Sequence, residues 1–340
     1  MKRVKRIFAC LLALTMMFGL SATAFATESG NTYTDESGKT YSDMKTVTIQ
    51  KSYKLTNAGT TSPRETFTLE QVGKGEVKDG DATSAPALGT ITGATFQEGG
   101  AATGDGAIGE ITVTLPTYEK VGVYEYTLKE VAGSTAGVDY YGKEIKLVVT
   151  VVNGDNGKLR IAGVHTEAKG EAKSASFTNT YSAGTLKVSK TVEGNLGDQS
   201  KYFVFTVTLT AAAGKSNYLD SYKITGGSDE NNPPSIKVGE TKTFKLKHGE
   251  TINIEGLPYG VTYTVTETAV DGYTTTVGEK TTNIAEGTMD EKAKTVVFTN
   301  TKNGDIDTGV YLDNLPYILV FAGVLAIAAV FVVRRRRFED

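Results

Sequence analysis

The chain has 340 residues, a formal net charge of −3, one cysteine and no tryptophan. Without the two basic ends described below, residues 27–308 hold 28 Lys+Arg against 36 Asp+Glu. That acidic balance argues against nucleic acid or an anionic membrane surface as partner. A mature chain without cysteine also rules out disulfides, so stability must come from the core or from another cross-link.

Residues 1–26 read as a secretory signal peptide. Lys2, Arg3, Lys5 and Arg6 form a basic start, residues 7–20 an apolar run, and Ala24-Phe25-Ala26 a small-x-small cleavage site. The mature chain then begins at Thr27, and Cys10 is lost with the signal. Residues 27–44 form an N-terminal extension. Beyond them the signal is β: residues 47–51, 67–69, 111–115 and 203–209 are rich in branched, aromatic and threonine side chains, mostly alternating at period two. Asn153-Gly154, Asn156-Gly157 and Asp271-Gly272 mark turns, and glycines cluster in a connection over 89–109. Helical periodicity is confined to the two ends.

At the C-terminal end, residues 317–333 are an apolar run near the lower limit of about 17–25 residues for a membrane-spanning helix. Arg334, Arg335, Arg336 and Arg337 follow it and orient it positive-inside. Hydropathy leaves two readings open, a permanent membrane tail or a segment removed on sorting. Between the ends, about 280 residues suit two domains of about 100–150 residues each. The expected fold is all-β, two tandem immunoglobulin-like sandwiches over 45–182 and 183–303.

An internal repeat supports that division. Residues 47–51 resemble 186–190, Tyr126-Thr127-Leu128-Lys129-Glu130 resembles Tyr263-Thr264-Val265-Thr266-Glu267, and Phe177-Thr178-Asn179-Thr180 recurs as Phe298-Thr299-Asn300-Thr301. Both copies run lysine, glutamate, asparagine, with separations of 79 and 49 in the first and 77 and 33 in the second. On a strand, residues i and i+2 share a face. Lys51 therefore sides with Val47 and Ile49, Lys190 with Leu186 and Val188, Glu130 with Tyr126 and Leu128, and Glu267 with Tyr263 and Val265. Asn179 and Asn300 side with Phe177 and Phe298. All six polar side chains are predicted on the apolar face.

A lysine at a strand end can snorkel outward at little cost. The alternative is chemical. Burial lowers a lysine's pKa and raises a glutamate's, giving a free amine and a neutral acid. Such an amine beside an asparagine can attack the carboxamide carbon while the acid polarises the carbonyl and carries a proton to the departing ammonia. The product is a Lys–Asn isopeptide bond, one per domain and with no cofactor. The reaction turns over once, so the chain is not read as an enzyme.

On these residues the chain resembles a known family, the major (backbone) pilins of streptococcal pili, of the two-domain type with self-generated isopeptide bonds. The resemblance runs through Ile49-Gln50-Lys51, Gly122-Val123-Tyr124 and on to Glu130, Phe177-Thr178-Asn179, residues 185–190, Leu257-Pro258-Tyr259-Gly260 and on to Glu267, and Phe298-Thr299-Asn300. It implies Cna-B-like domains, catalytic Glu130 and Glu267, and cross-links Lys51–Asn179 and Lys190–Asn300. It also implies that Asp305-Ile306-Asp307-Thr308-Gly309, within a segment over 304–309, is cut by sortase between Thr308 and Gly309. The family usually has proline before that threonine, and Asp307 stands there instead. Residues 310–340 would be removed on sorting.

The resemblance further implies a covalent homopolymer in which Thr308 is joined to an exposed lysine of the next subunit. Lys173 is the nearest counterpart, shifted by one residue in an ungapped comparison, and Lys169 the runner-up. Minor pilins and host surface ligands are then further partners, and the product is a wall-anchored surface pilus. The rival reading is a singly anchored adhesin with the same domains. Other signals fall away. Gly104-Asp105-Gly106-Ala107-Ile108-Gly109 matches a dinucleotide fingerprint but leads into a strand, with no helix to hold a pyrophosphate. His165 and His248 are isolated and suggest no metal site, and Asp155 lies in a hairpin turn rather than a calcium loop.

Overall fold

A computed structural model describes residues 29–34, 38, 40–154, 157–168, 176–305 and 315–336. The signal peptide, Lys169, Lys173, Thr308, Gly309 and Arg337 lie outside the described residues. An N-terminal hairpin, Ser29–Thr34 against Thr40–Met44, precedes the main body. The Asp43 carboxylate accepts the Ile161 backbone N–H at 3.3 Å, which ties this hairpin to the strand Leu159–Ala168.

Two sheets enclose a first apolar core. One runs in the order Val138–Asp139, Ser176–Tyr181, Thr46–Leu55, Ala107–Thr114 and Ile91–Thr92. The other runs Leu159–Ala168, Ile145–Asn153, Gly122–Glu130 and Leu69–Gln71, with Glu76–Gly80 also pairing onto Gly122–Glu130. Val47, Ile49, Ile111 and Phe177 from the first sheet pack with Tyr126, Leu128, Leu147 and Val149 from the second. The strict alternation along Gly122–Glu130 of buried positions with half-buried or, at Lys129, exposed ones is what period-two patterning dictates for a strand with one face inward.

A second core repeats the plan. A seven-stranded sheet containing Ala183–Glu193 and Ala293–Thr301 faces a four-stranded sheet containing Phe203–Thr210 and Thr262–Glu267. Leu186, Val188 and Phe298 meet Phe205, Val207 and Val265 between them. In both units the first and last strands lie side by side and parallel, while every other pairing in these sheets is antiparallel.

The units meet where the first ends at Tyr181 and the second begins at Ala183, which is itself buried in the first core. The Asn57 amide donates to the Ala183 carbonyl at 2.9 Å and to the Tyr259 hydroxyl at 3.0 Å. The Asn217 amide of the second unit donates to the Arg64 carbonyl at 2.9 Å and to Thr135 Oγ1 at 2.6 Å. Gly137, at φ +75°, lets its loop pass the junction, since a Cβ there would sit 2.4 Å from the Ser182 carbonyl oxygen.

Two sequence expectations are corrected. Residues 67–69 are not one strand: Glu65–Phe67 and Leu69–Gln71 pair in different sheets, because the chain changes partner at Thr68. The glycine-rich stretch 89–109 is not only a connection, since Ile91–Thr92 and Ala94–Phe96 form short strands within it. At the C-terminal end a helix spans Leu315–Arg336. Its bulky apolar side chains over 317–331 are all more than half exposed. Among the described residues no helix is long and apolar enough to cross a membrane.

Candidate cross-linking sites

Lys51 and Asn179 sit on neighbouring parallel strands, in a register that pairs Lys51 with Phe177 and Tyr53 with Asn179. Partners across such a ladder point to the same face, and a step of two keeps that face. The two side chains therefore converge on the core. Glu130 reaches them from the facing sheet, at the last position of Gly122–Glu130. All three are buried, with exposures of 1 % for Lys51, 4 % for Glu130 and 0 % for Asn179.

Their polar atoms meet one another. Lys51 Nζ donates to Glu130 Oε2 and, at 2.7 Å, to Asn179 Oδ1. Asn179 Nδ2 donates to Glu130 Oε1. A fourth group joins them: the Tyr141 backbone N–H donates to Asn179 Oδ1 at 2.8 Å. Lys51 Nζ lies 5.2 Å from the Phe67 ring centre and 5.7 Å from that of Tyr141. Burial among these rings pulls the Lys51 pKa down, against the opposing pull of Glu130.

The second unit builds the same arrangement from its own strands. Lys190 pairs with Phe298 and Val192 with Asn300, the same register offset as in the first unit. Glu267 closes Thr262–Glu267 on the facing sheet. Lys190 Nζ donates to the two Glu267 oxygens at 3.1 and 2.9 Å, and Asn300 Nδ2 donates to Glu267 Oε1. The amine stands 4.3 Å from the Phe203 ring centre. Burial lowers the Lys190 pKa and raises that of Glu267. Asn300 Oδ1, also buried, has no hydrogen-bond donor among the described residues.

Holding lysine and glutamate as ions here costs several kcal/mol per charge before attraction offsets it. Moving one proton from the amine to the acid removes both charges. It leaves a nucleophile beside an amide carbonyl and an acid beside the amide nitrogen. The structure thus brings together all six residues singled out by the repeat, in two sets of three.

Sequence reasoning missed the Tyr141 N–H, because a backbone donor leaves no mark in residue type. It also missed the rings over the amines, although the alternation Phe203-Val204-Phe205 puts both phenylalanines on the inner face. The two histidines stay apart from these sites. His248 Nδ1 accepts the Val192 backbone N–H at 3.0 Å, and His165 lies on Leu159–Ala168.

Comparison with known proteins follows the same two-unit division. Residues 44–182 match the family described as Spy0128-like isopeptide containing domain, and residues 184–302 match one described as a domain of unknown function, DUF7601. A pilin of Streptococcus pyogenes serotype M1 is 30 % identical over 312 residues, covering 85 % of this chain and 90 % of that protein. The crystal structure of the major pilin from Streptococcus pyogenes aligns with a TM-score of 0.57 at 27 % identity, over 76 % of this chain and 99 % of that one. The pilus tip adhesin Cpa of Streptococcus pyogenes is 33 % identical over 133 residues, which are 38 % of this chain and 18 % of the adhesin.

Proposed function

The chain belongs to the pilin family that includes the major pilins of Streptococcus pyogenes, and we propose that it forms the intramolecular bonds Lys51–Asn179 and Lys190–Asn300 by itself. It is a structural subunit of the pilus shaft, a cell-surface component that associates with other pilus subunits. The observation that carries the cross-linking proposal is the repeated meeting of a buried lysine, glutamate and asparagine at one register offset. In each set the neutral amine attacks the asparagine carbonyl carbon and a C–N bond forms. The glutamic acid takes a proton from the attacking nitrogen and gives one to the leaving nitrogen. The bond to that nitrogen then breaks and ammonia departs.

The units at 45–182 and 183–303 are taken as tandem Cna-B-like immunoglobulin-like domains. Each bond would join the first strand of its domain to the last. Tension entering along Ala183–Glu193 would pass from Lys190 to Asn300 without loading the strands between them. That suits a shaft.

The rest of the assembly reading rests on sequence position. Residues 1–26 direct secretion. The apolar run over 317–333 and the four arginines behind it, read from sequence, would hold the precursor at the membrane until sortase cuts after Thr308. Thr308 is then joined to Lys173 of the next subunit, and the finished polymer is attached to the wall. A singly anchored adhesin is the weaker reading, since the similarity to a tip adhesin spans only 18 % of that protein. Boiled wall extracts should show a high-molecular-weight ladder that disappears in a strain lacking the pilus sortase. A single band in both strains would reject polymerisation.

A further inference from the structure

The two sites differ at the asparagine oxygen in a way that the repeat does not reveal. In the first domain, Asn179 Oδ1 accepts the Tyr141 backbone N–H at 2.8 Å in addition to Lys51 Nζ. In the second, Asn300 Oδ1 is buried without a donor among the described residues. The cause is local topology. Beside the Asn179 strand runs Val138–Asp139, which pairs with Tyr181 and Thr180 and leaves the ladder before reaching Asn179. The chain then turns across the site, and the Tyr141 N–H, released from the ladder, points at the asparagine side chain.

Beside the Asn300 strand runs Thr274–Val277, which stays in register with Thr301, Asn300, Thr299 and Phe298. Its N–H groups lie in the plane of the sheet, directed at backbone carbonyls, so none can turn to a side chain on the inner face.

We propose that the Tyr141 backbone N–H is a catalytic oxyanion donor for the Lys51–Asn179 bond, and that the Lys190–Asn300 bond forms without a counterpart. This inference rests on the cross-linking reading above. When the amine adds to the carbonyl carbon, the π pair moves onto Oδ1, and a donor already in place stabilises the developing negative charge. When ammonia leaves, the carbonyl re-forms and the same N–H remains bonded to the isopeptide oxygen. In the second domain no backbone N–H among the described residues meets that oxygen, so the developing charge lacks a donor already in place. The first bond should therefore form faster.

The test is a time course on the full chain made by cell-free synthesis in detergent, stopped and then sampled by acid quench. Digestion and mass spectrometry quantify the Lys51–Asn179 and Lys190–Asn300 linked peptides separately. In the unmodified chain the first bond should form about 10²-fold faster than the second, the usual effect of one such donor. A backbone ester at position 141, with tyrosine replaced by its α-hydroxy analogue, removes the N–H and keeps the side chain. It should slow the first bond by about 10²-fold and leave the second unchanged, which serves as the internal reference.

An unaltered first rate in the ester chain, or equal rates for the two bonds in the unmodified chain, would overturn the assignment. If the ester chain does not fold, the ratio in the unmodified chain still decides. Absence of both linked peptides from the unmodified chain would instead overturn the cross-linking reading itself, and this inference with it.

Discussion

Asn179 lies two positions beyond the register partner of Lys51, on the strand that runs parallel beside it. Parallel pairing of the first and last strands is what makes the contact available. With both strands running the same way, a bond between their inner faces links the entrance of the domain to its exit. Asn300 stands in the same relation to Lys190, two positions beyond its register partner Phe298, so the second site is the same device built from different residues.

Purified residues 27–308 should weigh less than the sequence by two ammonia molecules, and Lys51→Ala or Lys190→Ala should each restore one. Lys51 and Asn179 are 128 residues apart. By analogy with a disulfide closing so long a loop, each bond contributes about 4–5 kcal/mol through the unfolded state. Either variant should therefore unfold at markedly lower denaturant concentration. An intact mass equal to the full sequence mass would reject both bonds.

The glutamates can be separated from the groups they serve. Glu130→Ala should abolish only the Lys51–Asn179 bond and Glu267→Ala only the Lys190–Asn300 bond, each chain losing one ammonia. Each variant also leaves a buried amine without its hydrogen-bond partner, so it should be less stable than loss of the bond alone would make it. A variant that still lost two ammonias at the normal rate would show that its glutamate is structural and that the proton moves by another route.

Much of this site was legible because period two is a strict rule: six polar residues at even spacing from apolar ones had to face inward. The repeat supplied the grouping. Its limit was pairing. That Lys51 meets Asn179 in a parallel register depends on strands far apart in sequence, and periodicity gives each strand's inner face without its neighbour. The change of partner at Thr68 was hidden for the same reason, since Phe67 and Leu69 alternate correctly whichever sheet they join. The junction was hidden too. Asn57 reads as a turn residue, yet its amide spans the two domains to Tyr259.

The rate of the second bond should depend on pH in a bell shape. Burial lowers the Lys190 pKa, so the amine becomes reactive as pH rises through a value below 10.5. Burial raises the Glu267 pKa, so the acid is lost only as pH rises through a value above 4.5. The reactive pair, neutral amine and neutral acid, is depleted on the acid side by protonation of Lys190 and on the alkaline side by ionisation of Glu267. The optimum should lie between the two shifted pKa values. Linked-peptide yield after short incubations across that range gives the profile, and a rate that only rises with pH would remove the acid from the mechanism.

Polymerisation needs a lysine of the opposite kind. Lys51 and Lys190 are buried and, on the cross-linking proposal, consumed internally, so the acceptor proposed for Thr308 must be another lysine that sortase can reach. Lys173 is the acceptor proposed from sequence position. It falls in the connection between Leu159–Ala168 and Ser176–Tyr181, the strand that carries Asn179, and Ala172 and Ser174 flank it with small side chains. Acceptor residues are favoured in connections of this sort because an enzyme can reach them without opening a sheet. Trypsin digestion of the polymer should release a branched peptide joining the Thr308 carbonyl to Lys173 Nζ. A strain carrying Lys173→Ala should export monomer with both internal bonds intact and show no ladder. An unchanged ladder from that strain would move the junction to another lysine, with Lys169 the first to test, and would leave the shaft role and the internal bonds untouched.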